Sequence, residues 1–251
     1  MTNDDGIYAP GLAALERALL RLGDVCVVAP ATEQSGVGHS ITFLSPLTCK
    51  EVYDDDRRRG WAVEGSPADC VKLGVFELCP KRPQLVVSGI NGGHNAGINI
   101  LYSGTVAAAI EGAFFGITSI AVSLEYDEHA PFEKAARIAV DVMEQILQKM
   151  GPTPQLYNLN IPTAVVDEDI EVRVVPMDVA RFDEHFVKRK DPRGRTYYWV
   201  AGNLSPSSDS QESDVTALQK GYITLTPLQY DMTQRTVLRE MERWRFQLAH
   251  D

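Results

Sequence analysis

Three short polar groups stand where an α/β chain would place its chemistry. Asn3, Asp4, Asp5 and Gly6 open the chain, Ser35 and Gly36 follow an apolar run ending at Ala29, and Asn91, Gly92 and Gly93 follow another ending at Ile90. Hard divalent cations such as Mg²⁺ bind oxygen, commonly one or two carboxylates completed by neutral oxygens and water. Asp4, Asp5, Ser35 and Asn91 can supply that donor set. Taken alone, Asp-Asp-Gly is more often a plain turn, because Asp and Gly fill turns for backbone reasons. Three such groups at one sheet edge shift the balance toward a metal site.

Ser103, Gly104 and Thr105 directly precede a helix of small residues, Val106 to Phe115. Free N–H groups and the helix dipole at such a terminus favour an anion, and the hydroxyls add donors for phosphate oxygens. The competing reading is an ordinary Ser/Thr N-cap; a metal site next door favours the anion. His39 and His94 lie in the candidate loops, where an imidazole can touch substrate or move a proton. His129, His185 and His250 have no metal-ligand spacing. No GxGxxG follows a strand, and no P-loop lysine or GxSxG elbow is present, so dinucleotide, ATP-driven and α/β-hydrolase chemistry lack their usual grips.

The elements that must position these groups are visible as periodicity. Leu12, Leu15, Leu19 and Leu22 share one helical face between Pro10 and Gly23. Val25 to Ala29, Leu85 to Ile90 and Ile120 to Leu124 are short apolar runs expected as strands buried on both faces. A helix is expected from Phe132 to Met150, then a strand from Leu156 to Ile161. This alternation predicts a three-layer, Rossmann-like α/β fold with a mostly parallel sheet and helices on both faces. Ligands in such sheets bind outside the carboxyl ends of the strands.

Two stretches break the pattern. Thr42 to Val63 reads as a hairpin whose tip is the charge run Asp54 to Arg59, and Glu171 to Leu225 is β-rich and irregular, with Tyr197, Tyr198 and Trp199. A final amphipathic helix is expected over Met232 to Leu248, with Asp231 and Gln234 resembling a capping box. The chain therefore divides into a catalytic core over residues 1–165 and a β-rich arm with a terminal helix over 166–251, free to pack on its own core or on a neighbour.

A net charge of −10, from 24 Lys and Arg against 34 Asp and Glu, argues against a protein that grips a nucleic-acid duplex, which needs a basic face. Phosphorylated small molecules remain possible where a metal or aimed backbone donors supply local positive potential. Cys26, Cys49, Cys70 and Cys79 form no CxxC pair and are expected as reduced, mostly buried thiols. No apolar run spans a bilayer, and the opening MTNDDG has no signal-peptide pattern, so the expectation is a cytoplasmic protein without a membrane partner.

The stretches NDDGIYAPG (3–11), VVAPATEQSGVGHSIT (27–42), GSPADCVKLG (65–74), VVSGINGGHNAG (86–97) and LYSGTVAAAIEGAFFGI (101–117) resemble the SurE family, the survival-protein 5′-nucleotidases. The likeness continues weakly through YWVAGN (198–203) and SDVTALQKGYITLTPL (213–228). It implies a metal-dependent phosphomonoesterase acting on nucleoside 5′-monophosphates, often on 3′-monophosphates, and in some members on short polyphosphate. By motif position it implies metal ligation by Asp4, Asp5, Ser35 and Asn91, with one divalent cation per subunit, Mg²⁺ or Mn²⁺. It places phosphate contacts at Asn95, Ser103, Gly104 and Thr105, and implies a homodimer or homotetramer built by exchange of C-terminal elements. Family members carry an apolar run before the NDDG motif, where only Met1 and Thr2 stand here. The expectation is a start assigned too late; a chain truly lacking that run would have a sheet without its central strand, unpaired neighbouring edges and a loosened Asp4/Asp5 pair.

Asp4 and Asp5 are the expected catalytic pair, as anchors of the cation or as base or nucleophile, which the sequence leaves open. The alternative is a nucleotide- or phosphate-binding protein of the same fold without turnover; a sugar-phosphate or other small-ester phosphatase would differ only in its pocket.

Overall fold

Pro10–Leu19 forms helix α1, with Pro10 at its first turn and Leu12, Leu15 and Leu19 buried. It ends three residues before Leu22, whose N–H closes a turn on the Leu19 carbonyl at 2.8 Å. Strand β1, Val27–Pro30, is buried throughout. β2 (Cys49–Asp54) and β3 (Arg57–Val63) make a hairpin where one was expected, but it begins at Cys49 rather than Thr42, and of the charge run only Asp55, at φ 51°, and Asp56 form its tip. Helix α2 (Pro67–Leu73) starts from a capping box between Ser66 and Asp69. There follow β4 (Leu85–Gly92), a 3₁₀ turn (Gly97–Leu101), α3 (Gly104–Phe114), β5 (Thr118–Leu124), α4 (Phe132–Lys149) and β6 (Leu156–Ile161). The computed structural model describes residues 1–164, 171–179, 185–201 and 212–246.

The strands assemble as β2–β3–β1 and β4–β5–β6–β10–β7, where β7 is Val172–Val174 and β10 is Ile223–Leu228. β1–β3, β4–β5, β5–β6 and β7–β10 are parallel, so the sheet is mostly parallel, as expected of alternating helices and strands. α1 and α4 cover one face, where Leu15, Ile90, Ile120, Val122, Ala139 and Met143 are fully or nearly fully buried. α2 and α3 cover the other around Val71, Val86, Ala108 and Val106. Among the described residues no helix is long and apolar enough to cross a membrane.

Residues 166–251, read from sequence as one arm, divide in the structure. β10 pairs antiparallel with β6 and β7 pairs with β10, so both belong to the main sheet, and a short helix, α5 (Asp214–Gln219), precedes β10. The sequence hid this because β10 alternates aliphatic residues with Thr224 and Thr226, and all of these are buried. Among the described residues only the hairpin of β8 (His185–Lys190) and β9 (Thr196–Ala201) and the helix α6 (Arg235–Met241) stand apart. α6 begins three residues later than expected: Gln234 is its N-cap, accepting from Val237 N at 3.0 Å, while Asp231 pairs with Arg235. α6 ends at Met241, well short of the expected Leu248, because the chain turns at Glu242 and Arg243 and residues 244–246 are not helical; residues 202–211, 247 and 248 lie outside the described residues. Of the cysteines only Cys70 is fully buried; Cys26, Cys49 and Cys79 are half-buried and all four are unpaired.

Met1 and Thr2 join the two groups of strands. Val28 N donates to Met1 O at 3.0 Å, Thr2 N to Val87 O at 3.0 Å, and Gly89 N to Thr2 O at 2.9 Å, a parallel bridge between Thr2 and Ser88. Beyond Met1 the facing edges of β1 and β4 part around a cavity of about 910 Å³ lined by Val25, Cys26, Val71, Cys79 and Leu85 among others. The Met1 ammonium is buried there, donating to Cys26 O at 2.5 Å, and burial lowers its pKa. The two strand edges are therefore paired for two residues only.

Candidate active site

The turn that opens the chain is closed by Asn3, whose side chain donates to Gly6 O at 3.0 Å and accepts from Gly6 N at 3.2 Å. Ile7 N donates to Pro30 O at 2.8 Å and Gln34 N to Asp4 O at 2.7 Å. The carboxylate turn is thus fastened to the end of β1 and to the loop that follows it.

Asp4 is 4% exposed. It accepts from Thr105 N at 3.0 Å and from the Thr105 hydroxyl, so the first turn of α3 holds it. A Cβ at Gly104 would lie 2.8 Å from Asp4 Cβ, and only glycine lets the helix start approach this closely. The expected loosening of the pair is therefore not what the structure contains at Asp4. Thr105, expected at the phosphate, spends both its donors on Asp4. Ser103 is the N-cap of α3, accepting from Val106 N at 3.1 Å, and also lines the pocket described next.

Asp4, Asp5, Ser35, Asn91, Asn95 and Ser103 come together around one cavity of about 630 Å³. Gly104 and Thr105, expected at the phosphate, are not among its lining residues. Asp5 receives one long contact, from Gly92 N at 3.4 Å, and burial followed by the neighbouring Asp4 charge pushes its carboxyl up to about 6. Ser35 Oγ donates to Glu33 Oε1 at 2.7 Å. A register irregularity in β4 between Ser88 and Asn91 reorients the strand end, and Asn91 Nδ2 donates to Gly93 O at 2.7 Å, leaving Oδ1 as its lone-pair donor. Asn95 Nδ2 donates to Ser123 Oγ at 2.9 Å.

The two histidines separate. His94 lines the cavity, and its Nε2 lies 3.2 Å from Ile161 O, an acceptor, so Nε2 carries the hydrogen and Nδ1 the lone pair. Burial lowers its pKa and keeps the ring neutral. His39 is not among the cavity residues; it bonds Glu111 Oε2 at 2.6 Å and stacks on Phe114. Sequence reasoning passed over Glu33, Asn99, Tyr102, Tyr126 and Phe132, which also line the cavity. Glu33 and Tyr102 sit inside two of the motif stretches, which was the one signal available.

The donor set suits a hard cation. The described cavity lining carries three carboxylates, Asp4, Asp5 and Glu33, and no Lys or Arg. Burial first, and then the Asp4 and Glu33 charges, raise the Asp5 carboxyl. Among the described residues no three or more His, Cys, Asp or Glu are grouped so as to hold a metal ion, so a cation held here would need the amide and hydroxyl oxygens of Asn91 and Ser35 as well, which Mg²⁺-type ions accept.

The family model described as Survival protein SurE matches residues 1–184. The chain belongs to the SurE family. A 5′-nucleotidase SurE of Rhodopirellula baltica is 54% identical over 245 residues, covering 97% of each chain. One of Desulfatibacillum aliphaticivorans is 43% identical over 245 residues, covering 98% of this chain and 97% of that one. The crystal structure of a SurE protein from Aquifex aeolicus superposes with a TM-score of 0.82 at 40% identity, covering 96% of both chains.

The raised carboxyls of this SurE member set a pH dependence. Asp5 near 6 in the folded state, against an ordinary 3.8, means the folded chain binds more protons than the unfolded chain between those values. Stability then falls as pH rises through that window; Asp4 and Asp214, also raised by burial, add the same sign. In EDTA, Tm is expected to fall from pH 4.5 to pH 6.5, and Mn²⁺ to flatten that slope by charging the pair favourably. Melting curves across this range check it; a Tm that climbs equally with and without Mn²⁺ contradicts it.

Proposed function

We propose that the chain is a metal-dependent phosphomonoesterase that hydrolyses nucleoside 5′-monophosphates, and 3′-monophosphates as well, to nucleoside and phosphate. The observation that carries this reading is a cavity lined by three carboxylates without Lys or Arg, beside the N-terminus of α3. A phosphate dianion is repelled from such a cavity unless a divalent cation is shared between protein and substrate. The names of the relatives, 5′-nucleotidase SurE, point the same way.

Asp4, Asp5, Ser35 and Asn91 would hold the ion, Mg²⁺ or Mn²⁺, one per subunit. When bound there it supplies the Lewis acid that offsets phosphoryl charge and lowers the pKa of water. Asn95 and Ser103 hold phosphate oxygens at the start of α3, where the helix dipole favours negative charge. His94 contributes a neutral imidazole with an unprotonated Nδ1, suited to accept a proton from water. Thr105 acts through Asp4, fixing its carboxylate, rather than on the phosphate. Tyr102 and Tyr126, 59% and 73% exposed, form with Phe132 an aromatic wall on which a base can stack. Stacking does not dictate which sugar hydroxyl bears the phosphate, which favours turnover of both isomers.

The reading extends to a homo-oligomer in the cytoplasm. α6 has no buried residue although it carries Val237, Leu238 and Met241, and Phe186, Trp199 and Val200 of the β8–β9 hairpin are exposed. Apolar elements this uncovered in one chain favour burial against a second copy. Four unpaired cysteines suit a reducing compartment.

The test is phosphate release from AMP, GMP and 3′-AMP by purified protein, first in EDTA and then with Mg²⁺ or Mn²⁺ restored. Metal-restored release is expected; its absence from a folded sample under any divalent ion overturns the reading.

A further inference from the structure

We propose that Asp214, the first residue of α5 and no part of the cavity, is a positioning residue that holds the segment 95–105 in register for phosphate. This rests on the reading above that Asn95 and Ser103 face the phosphate. Asp214 is 0% exposed. Its Oδ2 accepts from Gly97 N at 2.8 Å, across 117 positions of sequence. Its Oδ1 accepts from Asp178 N and Val215 N, each at 2.8 Å. Three backbone donors on one buried carboxylate form a joint that an apolar residue could not replace.

Gly97 lies on this joint with φ +57°, and a Cβ there would come within 3.1 Å of Val215 Cγ2. Glycine is needed both for the left-handed backbone and for the close approach to α5. Two residues earlier, β6 grips the same segment. Asn160 Oδ1 accepts from Asn95 N at 2.8 Å, and Asn158 Nδ2 and Asn160 Nδ2 donate to Asn95 O at 2.7 and 3.1 Å. The backbone is therefore fixed on both sides of the Asn95 side chain. From Gly97 the 3₁₀ turn leads directly to Ser103, so a shift at Gly97 is passed to Ser103 and leaves the Asn95 side chain held from the β6 side alone. Misplacement of about 1 Å costs on the order of 100-fold in rate.

Asp214→Asn is isosteric, but its amide must point an N–H at the N–H of Gly97 or at those of Asp178 and Val215. It is expected to raise KM for a nucleoside 5′-monophosphate about tenfold and to lower kcat about tenfold, a combined loss of about 100-fold in kcat/KM. Ala217→Gly in the same helix, also buried, loosens α5 by what one glycine costs a helix interior, without touching Gly97, and is expected to leave both constants within about twofold when each variant is assayed at the same interval below its Tm. Amide exchange from Gly97 to Thr105 is expected to quicken in Asp214→Asn and not in Ala217→Gly. Equal kinetics in the two variants at that interval below Tm, or unchanged exchange over 97–105, overturns the proposal. Asp214→Ser keeps one acceptor and room for water, and takes the place of Asn if that variant is insoluble. Insolubility of both beside a soluble Ala217→Gly also overturns it, because Asp214 would then be a determinant of folding. If the unaltered protein releases no phosphate, the functional reading fails, and exchange over 97–105 still decides the positioning role.

Discussion

Asp5→Asn is expected to lower phosphate release at saturating Mg²⁺ or Mn²⁺ by about a thousandfold, the scale on which single charge-stabilising groups act. The fold should survive. Asp5 is half-buried, its one hydrogen bond is the 3.4 Å contact from Gly92 N, and its charge is disfavoured by burial and by Asp4. Removing that charge relieves the repulsion, so Tm in EDTA is expected to hold or rise slightly near neutral pH. The stabilisation by Mn²⁺ should shrink at the same time, because the ion then meets one carboxylate of the pair. Asp5 is the informative position: replacing Asp4 would also cut its two bonds to Thr105 and mix structural with chemical loss. Steady-state rates over a range of Mn²⁺ concentrations separate two roles. Recovery at high Mn²⁺ assigns Asp5 to holding the ion; a rate that stays low at saturation assigns it to the reaction itself. A rate equal to that of the unaltered protein at low Mn²⁺ contradicts both.

How far the sequence could be read follows from the range of the forces involved. Unbroken apolar runs and a 3.6-residue leucine spacing are local signals, and β4, β5, β6, α1 and α4 were legible within a few residues of their observed ends. α5 was not, because six residues, Asp214–Gln219, are too few for a periodic pattern; the signal was the Ser213/Thr216 capping box. β10 escaped because its buried Thr224 and Thr226 look like a solvated face. At the site, oxygen-bearing loops after strands are a topological expectation, and Asp4, Asp5, Ser35, Asn91, Asn95 and Ser103 do meet at one cavity. The employment of individual donors depends on contacts far apart in sequence. Thr105 turns to Asp4 across 101 positions, and His39 turns to Glu111 across 72. Neither partner can be found from spacing, since tertiary placement alone decides which acceptor a hydroxyl or an imidazole meets.

Joining about four aliphatic and β-branched residues ahead of Met1 is expected to raise Tm by about 10 °C. Thr2 pairs with Ser88 in parallel register, so Met1 stands beside Val87 and added residues would run back along Val86 and Leu85. The slot they enter holds about 910 Å³ between the edges of β1 and β4. Burying two or three such side chains is worth about 5 kcal/mol at ~1.5–3 kcal/mol each. In a domain of this size a kilocalorie moves Tm by roughly 2–4 °C. The extension also turns the buried Met1 ammonium, whose pKa burial has lowered, into a neutral amide. An extension of equal length in Ser and Asn tethers the same backbone without apolar burial, and is expected to recover only a small part of the gain. The effect on kcat should be modest, because Asp4 is already held by Thr105 from the far side of the sheet edge. Unchanged melting with both extensions would mean that the edges of β1 and β4 cannot accept a strand between them. Equal gains from both would mean that backbone pairing, rather than the apolar slot, is what the sheet lacks.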